Sequence, residues 1–283
     1  MSAKRAVILG PGLIGGSLGL ALKQTKAFAS VCLWGRNGAF IPDAKRAGLE
    51  ASTDLESTLK GADVVVFCVP VAVLPELAKR AAKGIPEKAI LTDAGSTKGW
   101  VVREMEQIFG KRFVGSHPMA GSEQSGFSAA SKTLFHHASC ILTPTQTTSQ
   151  EAIDTISRLW TDVGGRVHQM TPEAHDHLVA RISHVPHIAA SALVHLAECA
   201  GEKAQELSGG GYRDTTRVAS GSADLWTEIL EGNREEVAHA LDTFIDLLTK
   251  ARLALSESNS ASLHEFLLQA KAQRDRLSSR HHV

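Results

Sequence analysis

Short apolar runs alternate with segments of helical period through the first part of the chain. The runs occupy residues 6–9, 31–34, 64–69, 89–92, 113–114, 140–142 and 166–168. The run at 64–69 is apolar at every position, which is typical of a parallel strand covered on both faces. Because residues 13–23 between the first two runs have a helical period, strand and helix alternate, and the pattern predicts a doubly wound parallel sheet.

The pattern changes after Thr171. No strand-like run follows this residue, and residues 236–256 and 260–277 are long stretches of helical period. Thr171 is a good N-cap and Pro172 a favourable first-turn residue, so we expect a helix to begin there. The predicted fold class is therefore α/β, with an N-terminal doubly wound sheet domain over residues 1–171 and an all-helical domain over residues 172–283.

Composition and charge narrow the classes of partner. The 283 residues carry 30 Lys and Arg against 30 Asp and Glu, so net charge gives no general attraction to nucleic acid. No apolar stretch approaches the length that spans a membrane, and residues 1–5 lead into the first run without a signal peptide. The four cysteines, at positions 32, 68, 140 and 199, have no CxxC spacing, which indicates free thiols. We expect a cytoplasmic protein with no nucleic-acid or membrane partner.

A glycine-rich turn, residues 10–17 (GPGLIGGS), follows the first apolar run and precedes the first helical segment. In such a turn Gly10 permits the tight bend, Gly12 lets the backbone approach a pyrophosphate, and Gly15 lets helix and strand pack closely. With a strand before it and a helix after it, the turn predicts a Rossmann-type dinucleotide-binding site.

The end of the second apolar run indicates which dinucleotide binds. NAD enzymes usually carry an acidic residue there for the ribose hydroxyls, but this chain has Arg36 and Asn37. An acid would repel a 2′-phosphate, whereas the guanidinium of Arg36 attracts it, so we expect NADP. If Arg36 only stacks on the adenine, NAD is also acceptable. The predicted cofactor-binding residues are Gly10, Gly12, Leu13, Ile14, Gly15, Arg36, Asn37, Val69 and Pro70.

A second motif, residues 115–123 (GSHPMAGSE), lies in the middle of the chain. Its Gly and Pro residues constrain the backbone, so we expect a shaped loop to present His117. An enzyme that oxidises an alcohol with a nicotinamide needs a group to take the hydroxyl proton, and His is a common choice. Ser96, in the segment 93–98 (DAGSTK), is placed to hydrogen-bond the nicotinamide, the substrate or His117. Ser96 or Thr97 is also placed to cap the next helix, and both roles can hold together.

The helical part holds two further candidate groups. His184 and His187 lie three residues apart in a His-rich segment, and because no HExxH-like pattern is present, a metal site is not predicted. These two imidazoles instead have the spacing to point at one ligand. Residues 209–217 (GGGYRDTTR) carry Asp214 and Arg217. Arg217 either binds a substrate carboxylate or forms a surface pair with Asp214, and these residues alone leave both interpretations open.

Together these motifs resemble one family, the prephenate/arogenate (cyclohexadienyl) dehydrogenases of tyrosine biosynthesis. The resemblance extends over residues 10–255 and rests on a series of motifs in order: residues 10–17, 93–98, 115–126, 183–187, 210–217 and Trp226. It implies a Rossmann domain followed by an all-helical dimerisation domain, and a homodimer formed through that domain. It also implies oxidative decarboxylation of prephenate to 4-hydroxyphenylpyruvate, with hydride transfer to NADP.

The resemblance also implies roles for the matching residues. His117 resembles the catalytic His that accepts a hydrogen bond from the ring hydroxyl of the substrate, and Ser96 the Ser that orients this His and the nicotinamide. His187 and Arg217 resemble a carboxylate-binding pair. Since His117 must be neutral to accept a proton, we expect activity to fall on the acid side. The residues that resemble pocket-shaping and gating positions are Glu123, Asp214 and Trp226. The predicted substrate-binding residues are Ser122, Glu123, His184, His187, Asp214, Arg217 and Trp226.

Several alternatives stay open at this point. Arogenate carries an ammonium where prephenate carries a ketone, and Glu123 is placed to recognise it, so an arogenate or dual-substrate enzyme is the first alternative to the favoured prephenate. A β-hydroxyacid dehydrogenase or imine reductase would share the glycine turn without needing residues 117–123 (HPMAGSE). A non-catalytic NADP-binding sensor is the alternative outside enzymes. We expect neither a C-terminal regulatory domain nor an N-terminal chorismate mutase extension.

Overall fold

The computed structural model describes residues 4–122, 124–201 and 203–280, with the side chains of residues 205 and 277–280 excepted. Within these ranges eight strands form one sheet in the order β3-β2-β1-β4-β5-β6-β7-β8. The strands are β1 (Arg5–Leu9), β2 (Ser30–Trp34), β3 (Glu50–Ser52), β4 (Val64–Phe67), β5 (Ile90–Asp93), β6 (Phe113–Pro118), β7 (Ser139–Thr143) and β8 (Arg166–Gln169). The predicted apolar runs thus become strands, and β3 is the additional one.

The first six strands are all parallel, and their order is that of a dinucleotide-binding fold. The expectation of a wholly parallel sheet is wrong at one place, because β6 and β7 pair antiparallel. The described part of the connection between them, residues 119–138, holds a single 3-10 turn at Phe127–Ala129 and no α-helix. A parallel pair of strands needs a crossover connection, usually an α-helix, whereas an antiparallel pair does not. The absence of a helix from the described part of this connection therefore agrees with the antiparallel pairing.

Helices cover both faces of this sheet. They are α1 (Leu13–Thr25), α2 (Ile41–Arg46), α3 (Leu55–Leu59), α4 (Leu74–Ala82), α5 (Gly99–Phe109) and α6 (Gln150–Asp162). Side chains of β1 alternate between the two resulting cores: Ala6 and Ile8 lie in one, Val7 and Leu9 in the other. Because both faces of the strand are buried, every position has to be apolar, which explains the unbroken runs in the sequence.

Only helices and turns follow β8 in the described residues. The helices are α7 (Pro172–Val179), α8 (Val185–Glu198), α9 (Lys203–Glu206), α10 (Gly210–Thr216), α11 (Ala223–Gly232), α12 (Arg234–Ser256) and α13 (Ser260–Arg280). The predicted start of α7 is confirmed: the Thr171 side chain accepts a hydrogen bond from the N–H of Ala174 at 3.2 Å. A doubly wound sheet followed by helices is therefore the observed fold class. Among the described helices, none is long and apolar enough to cross a membrane.

A π-helical segment, Ala180–His184, joins α7 to α8. Pro186, at the start of α8, has no N–H to donate into the preceding turn, so the regular ladder of hydrogen bonds is interrupted there. By its contacts the chain divides into two compact units, residues 1–234 and 235–283. The sheet and helices α7 to α11 belong to the first unit, and the sequence-based boundary after residue 171 stays a prediction.

The glycine-rich turn has the packing that its residues predict. Gly10 has a φ of +114°, and a Cβ on it would overlap the carbonyl oxygen of Cys68, the residue directly after β4. A Cβ on Gly15 would overlap the carbonyl oxygen of Gly10 and lie 3.1 Å from Ile8. By contrast, a Cβ on Gly12 would meet nothing within 4 Å.

Replacing Gly15 by Ala should therefore destabilise the protein, although Ala is the better helix former. We expect Gly15→Ala to lower the free energy of unfolding by about 1–3 kcal/mol, because backbone has to move to accommodate the methyl group. Gly12→Ala is the matched control and should stay within about 0.5 kcal/mol of the wild type. Urea unfolding followed by circular dichroism measures both, and equal stabilities of the two variants would contradict the packing described here.

Candidate active site

The carboxyl ends of β1, β2 and β4 bring the predicted cofactor-binding residues to one edge of the sheet. Gly10 follows β1, and a Cβ on it would lie 3.0 Å from the side chain of Val69. Val69 and the exposed Pro70 come after the end of β4. Gly35 follows β2, and a Cβ on it would lie 2.7 Å from the ring of Pro11. The exposed Arg36 and Asn37 follow Gly35 in the chain, so the glycine-rich turn and these two residues lie at the same edge of the sheet.

The residues at the start of α1 fit the phosphates of a dinucleotide. Gly12 is the N-cap of this helix, and because it has no side chain, no cap hydrogen bond from it covers the first N–H groups. The space where a Cβ would stand is open. The first turn, which includes the half-buried Leu13 and Ile14, carries no acidic residue. Its N–H groups and the helix dipole therefore favour an anion at this point.

His117 lies in a strand, and the expectation that a loop presents it is wrong. It is the penultimate residue of β6 and pairs with Ile141 of β7. The antiparallel partner strand extends β6 past the end of the predicted apolar run, through Gly115 to Pro118. The imidazole is 9 % exposed, and its Nδ1 lies 2.8 Å from Nε2 of His175. A strand fixes the backbone of His117 more rigidly than a loop would.

A chain of hydrogen bonds runs from His117 into the helical region. His175 is fully buried on α7, and its Nδ1 lies 2.8 Å from Oδ1 of Asp176. The same Oδ1 accepts the backbone N–H of Lys98 at 2.8 Å, and Oδ2 accepts that of Gly99 at 2.7 Å. The Asp176 carboxylate therefore caps the start of α5 from a different helix while it holds His175.

A buried ion pair underlies this chain. The side chains of Asp93, at the end of β5, and Lys98 are fully buried and in direct contact. Asp93 also accepts the N–H groups of Gly95, at 2.8 Å, and Ser116, at 3.2 Å. These bonds shape the turn that carries the half-buried Ser96 next to the end of β6. Because Nδ1 of His117 is occupied by His175, a hydrogen bond from Ser96 to His117 has to go to Nε2.

The environment keeps these imidazoles neutral. Burial lowers the pKa of His117 well below its usual value of 6.5, and the nearby His175, Lys98 and His184 lower it further. Burial also lowers the pKa of His175, against the opposing hydrogen bond to Asp176. Burial alone would raise the pKa of Asp176, but the hydrogen bonds from His175, Gly99 and Lys98 outweigh it and lower that pKa. The arrangement thus joins a neutral imidazole to an ionised carboxylate.

His184 and His187, predicted to point at one ligand, both lie against Trp226. The ring of His187 stacks on the indole with centroids 3.6 Å apart, and that of His184 meets it edge-on at 6.3 Å. His184 is buried, its Nδ1 lies 3.2 Å from the amide of Asn233, and burial lowers its pKa to about 4. Nδ1 of His187 is buried and finds no hydrogen-bond partner among the described residues. Burial lowers the pKa of His187 as well, against the opposing hydrogen bond to the backbone of Val218, so the ring is neutral.

The Arg217 segment packs against α8, which carries His187. Arg217 begins a 3-10 turn, Arg217–Ser220, directly after α10, and its side chain is exposed, as is that of Asp214. In the part of the chain that the structure describes, no ion pair joins Asp214 to Arg217. A Cβ on Gly221, just after this turn, would lie 2.5 Å from the indole nitrogen of Trp226 and 3.5 Å from His187.

Two predicted residues lie on the segment that follows β6. Ser122 is exposed, and its hydroxyl accepts the N–H of Gln124 at 3.2 Å. Glu123 lies outside the described residues. The same segment continues to Phe127, whose ring lies on α1 close enough that a Cβ on Gly16 would be 2.8 Å from it.

Sequence reasoning missed His175 and Asp176, and it left Asn233 unremarked. His175 is one of several His on the segment that also carries His184 and His187. The sequence carries one signal, the helical spacing of Pro172, His175 and Val179, which predicts that they share one face of a helix. In the structure all three are buried, so that face of α7 points inward. Within the described residues no group of three or more His, Cys, Asp or Glu side chains is arranged to hold a metal ion.

Comparison with known proteins agrees with this architecture. Residues 18–169 match the family model of the prephenate dehydrogenase nucleotide-binding domain, and residues 171–269 match that of the prephenate dehydrogenase dimerization domain. The chain is 35% identical to the prephenate dehydrogenase of Bacillus subtilis (strain 168), over 96% of this chain and 75% of that protein. It is 33% identical to the cyclohexadienyl dehydrogenase of Zymomonas mobilis, over 99% of this chain and 98% of that protein.

Solved structures give the same result. The prephenate dehydrogenase from Aquifex aeolicus in complex with hydroxyphenyl propionate and NAD+ superposes with a TM-score of 0.91 at 33% identity, over 98% of this chain and 99% of that one. The arogenate dehydrogenase of Synechocystis superposes with a TM-score of 0.84 at 29% identity, over 96% and 99% of the two chains. The chain therefore belongs to the prephenate dehydrogenase family, oxidoreductases of tyrosine biosynthesis that work with a nicotinamide dinucleotide.

Proposed function

We propose that this protein oxidises and decarboxylates prephenate to 4-hydroxyphenylpyruvate, with NADP as the hydride acceptor and His117 as the acceptor of the ring hydroxyl proton. The observation that carries the proposal is the state of His117. It is a buried, neutral imidazole on a rigid strand, and a hydrogen bond to His175 holds its Nδ1 at 2.8 Å. Its second nitrogen is free to meet a substrate hydroxyl.

The reaction balances with one proton acceptor. The bound nicotinamide supplies the hydride acceptor for the hydrogen on C4 of the ring. As that hydrogen leaves, Nε2 of His117 takes the hydroxyl proton, the C–CO₂ bond breaks, and its electron pair completes the aromatic ring. Prephenate and NADP⁺ give 4-hydroxyphenylpyruvate, CO₂ and NADPH with no net proton, so His117 returns its proton to the ring oxygen. Aromatisation drives the loss of CO₂, and we assign the Ser96 hydroxyl to the nicotinamide, because Nε2 of His117 has to stay open for the substrate hydroxyl.

The substrate carries two carboxylates, which have to be held by a protein of zero net charge. Arg217 offers an exposed guanidinium outside any ion pair with Asp214, and His187 offers a buried Nδ1 that is unsatisfied among the described residues. An unsatisfied buried nitrogen is costly, so a ligand that pairs with it gains affinity. We assign one carboxylate to this pair. Because a carboxylate only accepts hydrogen bonds, the neutral His187 ring carries its hydrogen on Nδ1 when it binds. Trp226, stacked on His187, fixes the imidazole and closes one side of the pocket.

NADP is favoured over NAD by the end of β2. Arg36 and Asn37 stand where an acidic residue would select against a 2′-phosphate, and both side chains are exposed beside the glycine-rich turn. A guanidinium binds phosphate through paired hydrogen bonds, which a ribose hydroxyl does not match in strength.

A homodimer forms through the helical region. Leu193 and Leu196 of α8 are 37% and 66% exposed, and the second half of α12 exposes large apolar side chains: Ile245, Leu247, Leu248, Leu253 and Leu255. Exposed apolar surface of this extent is typical of a protein–protein interface. Gel filtration with light scattering should give twice the mass of 30.2 kDa.

Steady-state assays with prephenate and arogenate against both NADP and NAD test the proposal. We expect the largest kcat/KM with prephenate and NADP. Arg36→Ala should lower kcat/KM for NADP by roughly tenfold or more and leave that for NAD unchanged, because only the 2′-phosphate contact is lost. Arg80→Ala, at an exposed position of α4, is the control. A preference for arogenate would point instead to direct formation of tyrosine, and inactivity with both substrates would contradict the proposal.

The acid limb of the pH profile should lie well below pH 6.5. The pKa of His117 is lowered below that value, so its base form persists at neutral pH and is lost only when the pH falls through the lowered pKa. The pH dependence of kcat/KM reports the pKa of His117 in the free enzyme. His117→Asn should lower kcat by about 10²- to 10⁴-fold. A limb centred at or above pH 6.5, or full activity of the Asn variant, would show that His117 is not the base.

Arg217→Met should weaken substrate binding without removing the base. We expect KM for prephenate to rise roughly 10- to 100-fold with little change in kcat, because a charge-assisted contact made equally in ground state and transition state is lost. Arg213→Met is the matched control, since Arg213 is also exposed and lies one turn earlier on α10. Equal effects of the two substitutions on KM would contradict the assignment of Arg217 to the substrate pocket.

A further inference from the structure

His175 and Asp176 lie buried behind His117, and the reaction as proposed does not use them. In the hydrogen bonds that join these three residues, the donor and the acceptor of each bond are fixed. The direction starts at Asp176. Its two oxygens accept backbone N–H groups, from Lys98 at 2.8 Å and from Gly99 at 2.7 Å, and a backbone N–H can only donate. Both bonds favour the ionised carboxylate, which has no proton to give. Nδ1 of His175, 2.8 Å from Oδ1, must therefore carry the hydrogen of that bond.

The direction continues through His175. A neutral imidazole with its hydrogen on Nδ1 has a lone pair on Nε2. That Nε2 lies 2.8 Å from Nδ1 of His117, and two lone pairs cannot face each other at this distance. Nδ1 of His117 must therefore donate. The consequence is that Nε2 of His117 carries no hydrogen before the substrate arrives, which is the state that a proton acceptor needs.

The opposite direction would require a cation at His175. If Nε2 of His175 donated to His117, His175 would carry hydrogens on both nitrogens. Its side chain is fully buried, and Lys98 lies close enough to disfavour a second positive charge, although Asp176 and Asp93 favour it. For His117, the charged and titratable groups that act on it are His175, Lys98 and His184, and all three disfavour its protonation. The neutral chain is therefore the stable one.

We propose that His175 and Asp176 are positioning residues that hold His117 in the tautomer with its hydrogen on Nδ1 and aim Nε2 at the reacting hydroxyl. The tautomer is a property of the free protein, whereas the identity of the hydroxyl rests on the proposed function. When Nε2 takes the proton, the charge that forms on His117 is stabilised through His175 by the carboxylate of Asp176. A free imidazole populates both tautomers, so without His175 part of the enzyme would present a hydrogen to the substrate.

The first test needs no substrate. The protein is prepared with ring-¹⁵N histidine, and long-range ¹H–¹⁵N correlation spectra are recorded at neutral pH, with His117→Asn identifying the His117 signals. We expect Nε2 of His117 to have the chemical shift of an unprotonated ring nitrogen and Nδ1 that of a protonated one. The reverse assignment in the wild-type protein would overturn the inference, whatever reaction the enzyme catalyses.

The second test separates hydrogen bonding from packing. His175→Phe keeps a ring but cannot accept a hydrogen bond, whereas His175→Gln offers an amide oxygen to Nδ1 of His117. We expect the Phe variant to lose kcat by on the order of 10²-fold or more, with KM for substrate and dinucleotide within about twofold of the wild type, and to show both His117 tautomers in the spectra. The Gln variant should restore most of kcat and the single tautomer.

A third variant reverses the direction. In Asp176→Asn the amide NH₂ meets a backbone N–H in either orientation, that of Gly99 at the position of Oδ2 or that of Lys98 at the position of Oδ1. In the second orientation the NH₂ also donates to Nδ1 of His175, which reverses the chain in that part of the molecules. His117 should then shift towards the tautomer with its hydrogen on Nε2, with a loss of kcat at least as large as in His175→Phe. Equal kcat losses in the Phe and Gln variants, or a loss of kcat with an unchanged tautomer, would overturn the inference and leave His175 with a packing role. If His175→Phe fails to fold, the wild-type spectra and the Gln variant still decide.

Discussion

The carboxylate of Asp176 is the contact on which the arrangement of the active site depends. It is buried, and it accepts hydrogen bonds from two backbone N–H groups at the start of α5 and from His175. Through these bonds the helix that follows the sheet is fixed to the carboxyl edge of the sheet. The backbone oxygen of Asp176 also accepts the amide of Asn233 at 2.8 Å, and that amide contacts His184. One residue thus positions the imidazole behind His117 and, through Asn233, an imidazole beside Trp226.

Local charge in the site differs from the neutral balance of the whole chain. Lys98 is a fully buried cation, which would be costly alone, but Asp93 neutralises it and is itself held by the N–H groups of Gly95 and Ser116. The pair carries no net charge, yet its positive end lies near His117 and His175 and contributes to lowering the pKa of both. A buried ion pair of this kind adds little to stability. Its effect here is on the protonation state of the imidazoles.

Much of the fold was readable from the sequence because the signals are local. Strands buried on both faces need apolar residues at every position, so β1 and β4 were found from their runs. The strand β3, with the sequence Glu-Ala-Ser, has no such run and exists only because β2 offers it a hydrogen-bonding edge. The extension of β6 to Pro118 has the same cause, since β7 pairs with residues that look like a loop when taken alone.

The sequence by itself determined what neighbouring residues impose on one another. The close approach of Gly10 and Gly15, the Thr171 cap and the start of α7 at Pro172 all follow from sterics and hydrogen bonds within a few residues. Only the tertiary structure decided which His of the helical segment faces His117. His175 and His117 are 58 positions apart, and several His on that segment offered the same chemistry. The choice depends on which face of α7 packs on the sheet edge, and that face is set by the carboxylate of Asp176.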